Sequence, residues 1–495
     1  MEMRMGVLRY LAFCLGLLAL ILPSAFGGGF AYDGLGVKAR GMGGAFRAVA
    51  DDWSAAYYNP AGYYRILDNQ LAFNVDFFHN RYTAIPGVHR GDGDTLETGF
   101  FNGQEVYNHH SILSIPQGAI LARLPVWGET VFGFSIMQLF DQNQSWELFM
   151  NIPAYNGSNP PGKQYYNNLD VVAFQLTAAR GFMEDRLSIG VGLALLRGDL
   201  IYNSLIFRDN PYKNDPAWSE LADRPYDKIT EWYHNDGRGW GFGYRIGLLY
   251  EVNDRVDVGA VYAGKSSIDI SGASEFLYYL GDNATLAGSP NIFDTTEEYY
   301  FVDGIVEDIY ADFETTLDVP SSIGGGVSFR PNEKLTLALD AEMVFWSQFE
   351  GLEFKFSNFG GLPKDYFTRA INMMTTDVVT VPVEWDDAVQ VMLGANYWLT
   401  DFTEVRAGFG IDQSPMKEET FIPQFFDLGT KYRYSFGVGF EIGFWHLDLT
   451  TVYTHHPDLS VTSLSYFDED GLMDNLPAEY KAGNYQIILG ITHRF

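Results

Sequence analysis

The connections between the strand-like segments of this chain alternate in length by parity, and few folds produce that pattern. Fourteen segments read as strands: 70–79, 115–124, 131–140, 169–180, 186–203, 239–251, 255–270, 316–330, 333–350, 387–398, 403–413, 432–442, 445–455 and 484–495. After every second one comes a tight turn, "PVWGET", "GFMEDR", "EVNDR", "RPNEK", "LTDF" or "IGFW". The remaining connections are long, at about 80–114, 141–168, 204–238, 271–315, 351–386, 414–431 and 456–483. In "KLTLALDAEMVFW" one face carries Leu335, Leu337, Leu339, Ala341, Met343 and Phe345, and the other Thr336, Ala338, Asp340 and Glu342. Strand geometry sends the two sets to opposite sides. A soluble sandwich shows the same alternation but has no reason to sort its loops by parity. A transmembrane barrel does, with an even strand number, short periplasmic turns and long external loops. The expected fold class is therefore all-β, a transmembrane antiparallel β-barrel of 14 strands.

Composition agrees with this reading. The mean hydropathy of −0.09 is too polar for a helical membrane protein, and suits strands that hide every second side chain in lipid. The net charge of −31 argues against nucleic acid, whose phosphates would be repelled. Residues 1–31 read as a signal peptide: Arg4 and Arg9 supply the basic start, Gly6 to Leu22 the apolar run, and cleavage falls after Ala25 or Ala31. The only cysteine, Cys14, lies in that leader, so the mature chain has no disulfide framework and no thiol nucleophile. There is no G-x-S-x-G elbow and no H-E-x-x-H pair. The His pairs at 109–110 and 455–456 lack a third ligand at metal spacing. Neither an enzyme, nor a metal site, nor a resident cofactor is expected.

The C-terminal segment "NYQIILGITHRF" sends Tyr485, Ile487, Leu489 and Ile491 to one face and ends on Phe495. A final strand closing on an aromatic residue resembles the assembly signal of outer-membrane barrels. Tyr250, Tyr262, Phe345 and Tyr397 suit aromatic girdles at the lipid interfaces. The stretch "KARGMGGAFRAVADDWSAAYYNPAG" at 38–62 precedes the first strand. A barrel of this strand number encloses a lumen too wide for wall side chains to fill, and an open bore would leak. Gly41, Gly43 and Gly44 let a backbone fold compactly within it. Pro60 stiffens the turn and biases Asn59 towards extended backbone. The chain thus divides into a leader at 1–31, an N-terminal hatch at 32–68 and a barrel at 69–495.

These residues carry a resemblance. From about Gly34 to Phe495 the chain resembles the FadL/TodX (OMPP1) family of outer-membrane transporters of long-chain fatty acids and hydrocarbons. "GMGGAF", "VADD" and the Asn59, Pro60, Ala61 signature look like that family's hatch. "GWGFGYRIGLLYEVNDRVDVGAVY", "LDVPSSIGGGVSFRPNEKLTLALDAEMVFWSQF" and "TEVRAGFGIDQSP" look like its strand–turn–strand blocks. The resemblance implies the outer membrane of a Gram-negative bacterium and a barrel corked by its hatch. It also implies an apolar groove on the third and fourth external loops, a lumen pocket for an acyl tail, and lateral exit at a kinked third strand. PorV-like secretion scaffolds carry similar starts, and a barrel that anchors secreted proteins is the alternative function.

Candidate site residues follow from position. Leu205, Ile206, Phe207, Phe276, Leu277, Tyr278 and Tyr279 fall where the external groove is expected, with Trp218 beside them. Clustered apolar side chains on exposed loops mark interaction surfaces, although packing among themselves is the competing account. Strand phasing puts Arg245 and Arg406 on the lumen face, where a guanidinium can hold a fatty-acid carboxylate. The competing partners are lumen acids such as Asp340, Glu342 or Glu441. Gly133 and Ser135 mark the candidate kink of the third strand. Ten carboxylates and no Lys or Arg lie between Glu275 and Glu314. Calcium favours such oxygen ligands, yet no D-x-D-x-D-G loop is present. The expected partners are one hydrophobic small molecule (fatty acid, alkane or aromatic) and the surrounding lipid, with the barrel a monomer.

Overall fold

A computed structural model describes residues 34–86, 105–108, 113–126, 128–147, 163–209, 228–279, 306–360, 377–417, 420–425, 427, 429–461 and 478–495. The wall is a closed antiparallel barrel of 14 strands. In chain order they are Gln70–Pro86, Leu113–Leu124 (with the short piece Val106–Tyr107), Thr130–Trp146, Tyr165–Phe182, Leu187–Asp209 and Lys228–Asn253. The seventh to tenth are each built from two pieces: Val256–Ala263 with Ser266–Tyr279, Val306–Val319 with Ser322–Asn332, Leu335–Val344 with Gly351–Gly360, and Val378–Pro382 with Ala388–Thr400. Thr403–Asp412, Lys431–Ile442, Trp445–His455 (continued by Leu459–Val461) and Ala478–Arg494 complete the ring. Closure runs in full register, from Gln70 opposite Arg494 to Pro86 opposite Ala478.

The alternation read from the sequence is the alternation in space. Leu337, Leu393, Phe436, Leu449, Ile487 and Leu489 are exposed on the outer face. Ala338, Asp340 and Glu342 are buried on the inner one. Tyr250, Tyr262 and Tyr397 stand among the exposed outer side chains, near strand ends where amphipathic rings suit the interface.

Several strands run further outward than the sequence pattern suggested. The sixth begins at Lys228 rather than 239, the seventh continues to Tyr279 and the eighth begins at Val306. Above the lipid the outer face turns polar, as at Lys265, Ser267 and Asp269, so the apolar alternation that betrays a membrane strand disappears. The backbone ladder does not need it and continues unbroken between the fifth and sixth strands out to Asp209 opposite Lys228.

Residues 34–66 lie inside the ring. They form two short helices, Val37–Gly41 and Ala55–Tyr58, and the 3-10 turn Pro60–Arg65. Leu35, Met42, Phe46, Ala55, Ala56 and Tyr63 are buried, whereas Leu67, just before the first strand, is 77% exposed. The segment meets the wall on many sides: Gln175 Nε2 donates to Ala56 O (2.8 Å), Ser435 Oγ to Gly41 O (3.2 Å) and Thr450 Oγ1 to Val37 O (2.9 Å).

Candidate functional site

The floor of the lumen is the hatch, held by buried polar groups. The Asp340 carboxylate accepts from the backbone N–H groups of Phe46 (2.7 Å) and Arg47 (2.6 Å). The Arg47 guanidinium lies 3.5 Å from the same carboxylate and pairs with Glu342. Asn59 is fully buried, donating to Arg47 O (2.8 Å) and Leu248 O (2.9 Å) and accepting from Ala61 N (3.2 Å). That is why an amide precedes Pro60: its two ends tie the turn to itself and to the sixth strand. Ala61, fully buried, supplies the N–H at the turn's start.

Gly43 and Gly44 adopt positive φ, 69° and 87°, backbone that glycine enters without steric cost. Gly41 instead ends the first helix, where a Cβ would meet Thr450 Oγ1 at 2.9 Å. The wall answers with glycines of its own. A Cβ on Gly408 would collide with the Gly43 backbone, one on Gly247 with Asn59, and one on Gly190 with Pro60. These lumen-facing glycines let hatch and wall approach backbone to backbone, a role the sequence reading missed. Their spacing at alternate strand positions was the available signal.

Above the hatch lies a cavity lined by Tyr57, Leu139, Phe140, Leu196, Arg245 and Trp346, among others. Arg245 bonds to Tyr57 O and its guanidinium sits 4.5 Å from the centre of the Tyr57 ring. Among the described residues it forms no ion pair. Arg406 differs. It is buried beneath the hatch and pairs with Glu404 and with Asp448 (2.6 Å). His446 lies 3.1 Å from Asp448 and 3.4 Å from Glu404. These three residues bring ligand-type atoms within 4.8 Å of one another, but Arg406 already supplies the positive charge there. Arg406 is thus not available to a ligand, and neither arginine uses the acids expected from sequence: Asp340 and Glu342 hold Arg47, and Glu441 faces Arg494 at 3.0 Å.

Over the cavity the barrel is filled with aromatic rings. Tyr202 packs on Phe354 (5.4 Å between ring centres), Tyr233 (6.0 Å) and Phe425 (6.1 Å). Trp346 and Phe349 pack on Trp385 at 5.2 and 5.3 Å. The turn Pro423–Phe425 dips into this throat, fixed by bonds from Trp146 Nε1 to Pro423 O and from Asn167 Nδ2 to Gln424 O, both 3.1 Å.

The throat corrects the placement of the external groove. Leu205, Ile206 and Phe207 belong to the fifth strand, and Phe276, Leu277, Tyr278 and Tyr279 to the seventh. None stands on a loop. Phe276 and Tyr278 are buried on the inner face, with Phe276 packed on Phe356 at 5.0 Å, whereas Leu205, also buried, shares the outward phase of Leu193 and Leu195. Ile206 and Leu277 are half-buried. The side chains of Phe207 and Tyr279, residues 210–227 with Trp218, residues 280–305 of the acidic stretch and the leader lie outside the described residues.

The third strand pairs with the second only from Thr130 to Ile136, opposite Leu124 to Gly118. Beyond that it bulges between Gln138 and Phe140 and its ladder runs with the fourth strand alone, until Asn108 meets Gln144 and Ser145 further out. Residues Leu113–Gln117 of the second strand keep their partners on the first. The wall therefore parts just outward of Gly133 and Ser135. Both lie in the paired region, and Gly133 instead makes room for the Tyr63 ring of the hatch.

The family model described as outer membrane protein transport protein (OMPP1/FadL/TodX) matches residues 18–495. The chain belongs to this family. It is an outer-membrane protein. It is similar to a putative outer membrane protein of Neisseria meningitidis serogroup B (24% identity, 46% of this chain and 45% of the relative). It is also similar to the 47 kDa outer membrane protein of Pasteurella multocida (25% identity, 47% and 49%). The chain thus spans about half the length of the curated relatives it matches. Among solved structures it resembles a Pseudomonas aeruginosa FadL homologue (TM-score 0.71, 17% identity, 94% of this chain and 100% of that one). It likewise resembles the P. putida toluene transporter TodX (TM-score 0.67, 15% identity, 94% and 99%). At these identities the likeness concerns the fold.

Proposed function

We propose that this barrel carries long-chain fatty acids or similar hydrophobic compounds passively across the outer membrane. The observation that carries the reading is the cavity between hatch and throat: apolar and aromatic on most sides, with Arg245 in its wall. Moving an acyl chain from water onto the aromatic throat is favourable by about 0.8 kcal/mol per methylene. The carboxylate then meets the guanidinium of Arg245, while the tail lies along Leu139, Phe140 and Leu196. Exit is sideways, through the parted wall beside the third strand, so the solute does not return to water. The hatch blocks the axial path and shifts to admit the ligand. Names of structural neighbours, a FadL homologue and a toluene transporter, accord with this class of solute.

Reconstituted vesicles test it. Labelled palmitate should enter faster with the protein than without, and labelled sugar should not. Uptake of sugar would point to a general porin, and uptake of neither to a scaffold. Mass spectrometry of lipid copurified with the detergent-extracted protein would name the solute.

A further inference from the structure

Four neighbouring wall strands break at one height. The seventh stops at Ala263 and resumes at Ser266, the eighth at Val319 and Ser322, the ninth at Val344 and Gly351, the tenth at Pro382 and Ala388. Between the sixth and seventh strands the ladder runs to Arg245 opposite Ala263 and resumes at Gly241 opposite Ile268. Within that interval one backbone bond, Gly264 N–H to Tyr244 O at 3.0 Å, spans the strands. On the other side of the interval stands Pro320, which has no N–H to give. The ladder is interrupted here.

The lumen cavity reaches this seam. Gly243, Tyr244, Gly264, Ser266 and Pro320 line it, alongside the inward-facing Arg245. Yet Tyr244 is 44% exposed on the outer face, between Phe242 and Ile246 in the apolar series of the sixth strand. One residue thus lines the cavity and presents its side chain to the lipid side. Its ring lies directly over Gly264, where any Cβ would collide with it. Tyr262 packs beside it at 6.2 Å. Just outward, the Lys265–Asp318 pair (2.8 Å) marks where the outer face turns polar, which places the seam at the external edge of the apolar band.

We propose that this seam is a second side mouth of the lumen cavity, with Tyr244 as its movable cover, through which a long apolar or amphiphilic solute passes between the cavity and the outer half of the bilayer. The inference rests on the transport reading above. Rotating one ring away from bare glycine backbone opens the mouth without breaking a continuous ladder. The parted wall beside the third strand borders the same cavity through Leu139 and Phe140, so the cavity has a lipid-facing mouth on each side.

Cysteine chemistry tests the mouth, since the only native thiol is Cys14. In a Cys14→Ser background, the pair Gly243→Cys and Ser266→Cys can be linked across the seam, because a Cβ at Gly243 stands 3.1 Å from Ser266 Oγ. Oxidation should slow palmitate uptake several-fold and reduction restore it. Tyr244→Ala should accelerate uptake, and Tyr244→Phe should behave as wild type. Separately, the single variant Gly243→Cys should be labelled by a maleimide dissolved in the bilayer, faster in combination with Tyr244→Ala. Heat-dependent gel mobility confirms that each barrel is closed. Uptake indifferent to the staple and to Tyr244→Ala, or a Gly243→Cys thiol unreachable from lipid, overturns the mouth while leaving transport intact. Bilayer labelling without palmitate uptake in the wild type would instead support the mouth and sink the fatty-acid reading.

Discussion

The lower and upper halves of this lumen are built on opposite principles. Below, the hatch meets the wall through buried charges, amides and glycines: Asp340 and Glu342 around Arg47, Asn59 against the sixth strand, Gly408 against Gly43. Above, Tyr202, Phe276, Phe313, Phe354 and Trp346 fill the space with rings and few directional bonds. Hydrogen-bonded pairs fix geometry and are costly to break singly. Dispersion contacts between rings are individually weak and can be exchanged for contacts with a ligand. The contrast teaches that a fixed plug and an exchangeable apolar lining can share one bore when polarity is confined to the plug.

The largest test of that division is Asp340→Ala. It removes two backbone acceptor bonds and leaves Arg47 with Glu342 alone. Breaking a buried pair costs roughly 3–5 kcal/mol, enough to loosen the hatch. The variant should raise single-channel conductance in planar bilayers and expose residues 34–66 to protease while the barrel keeps its heat-modifiable mobility. A silent Asp340→Ala would show that the hatch is held by something else.

Arg245→Met probes the border between the halves. A hydrogen bond to a charged group contributes about 1.5–3 kcal/mol, so palmitate affinity should fall roughly ten- to hundredfold on that scale. Binding of an uncharged alkane should hold steady, and equal losses for both would mean that Arg245 shapes the cavity rather than reading a carboxylate. Gly408→Val is expected to act below it, forcing a side chain into the backbone of Gly43. Overpacking of that kind costs about 1–3 kcal/mol. It should lower thermal stability and raise conductance modestly, with palmitate affinity unchanged.

Much of this was legible in the sequence because lipid imposes a rule on every wall strand. All fourteen strands, the inward phase of Arg245, Arg406, Asp340 and Glu342, and the interior position of Asn59 and Pro60 follow from alternation and from a bore that must be filled. The external ends of the strands obey no such rule, so Leu205, Phe276 and Tyr278 read as loop residues although they sit on strands and the last two line the throat. Ring partners such as Tyr202 and Phe354 are brought together only by closure of the barrel. Arg47 carried no mark of its own either: a hatch cation and two wall acids far along the chain meet only once the hatch is seated.

The smallest effect sharpens the comparison most. Lys38 and Asp51 also form an ion pair within the hatch, at 2.8 Å, but Asp51 is 40% exposed. Exposed pairs contribute roughly 0–1 kcal/mol because water screens them and both side chains lose freedom. Asp51→Ala should therefore leave conductance, protease resistance and palmitate uptake near wild type, although it deletes the same chemical group as Asp340→Ala. If the two variants loosened the hatch equally, net charge rather than desolvated, geometrically fixed pairing would be holding it. The separation of a polar plug from an apolar throat would then lose its physical basis.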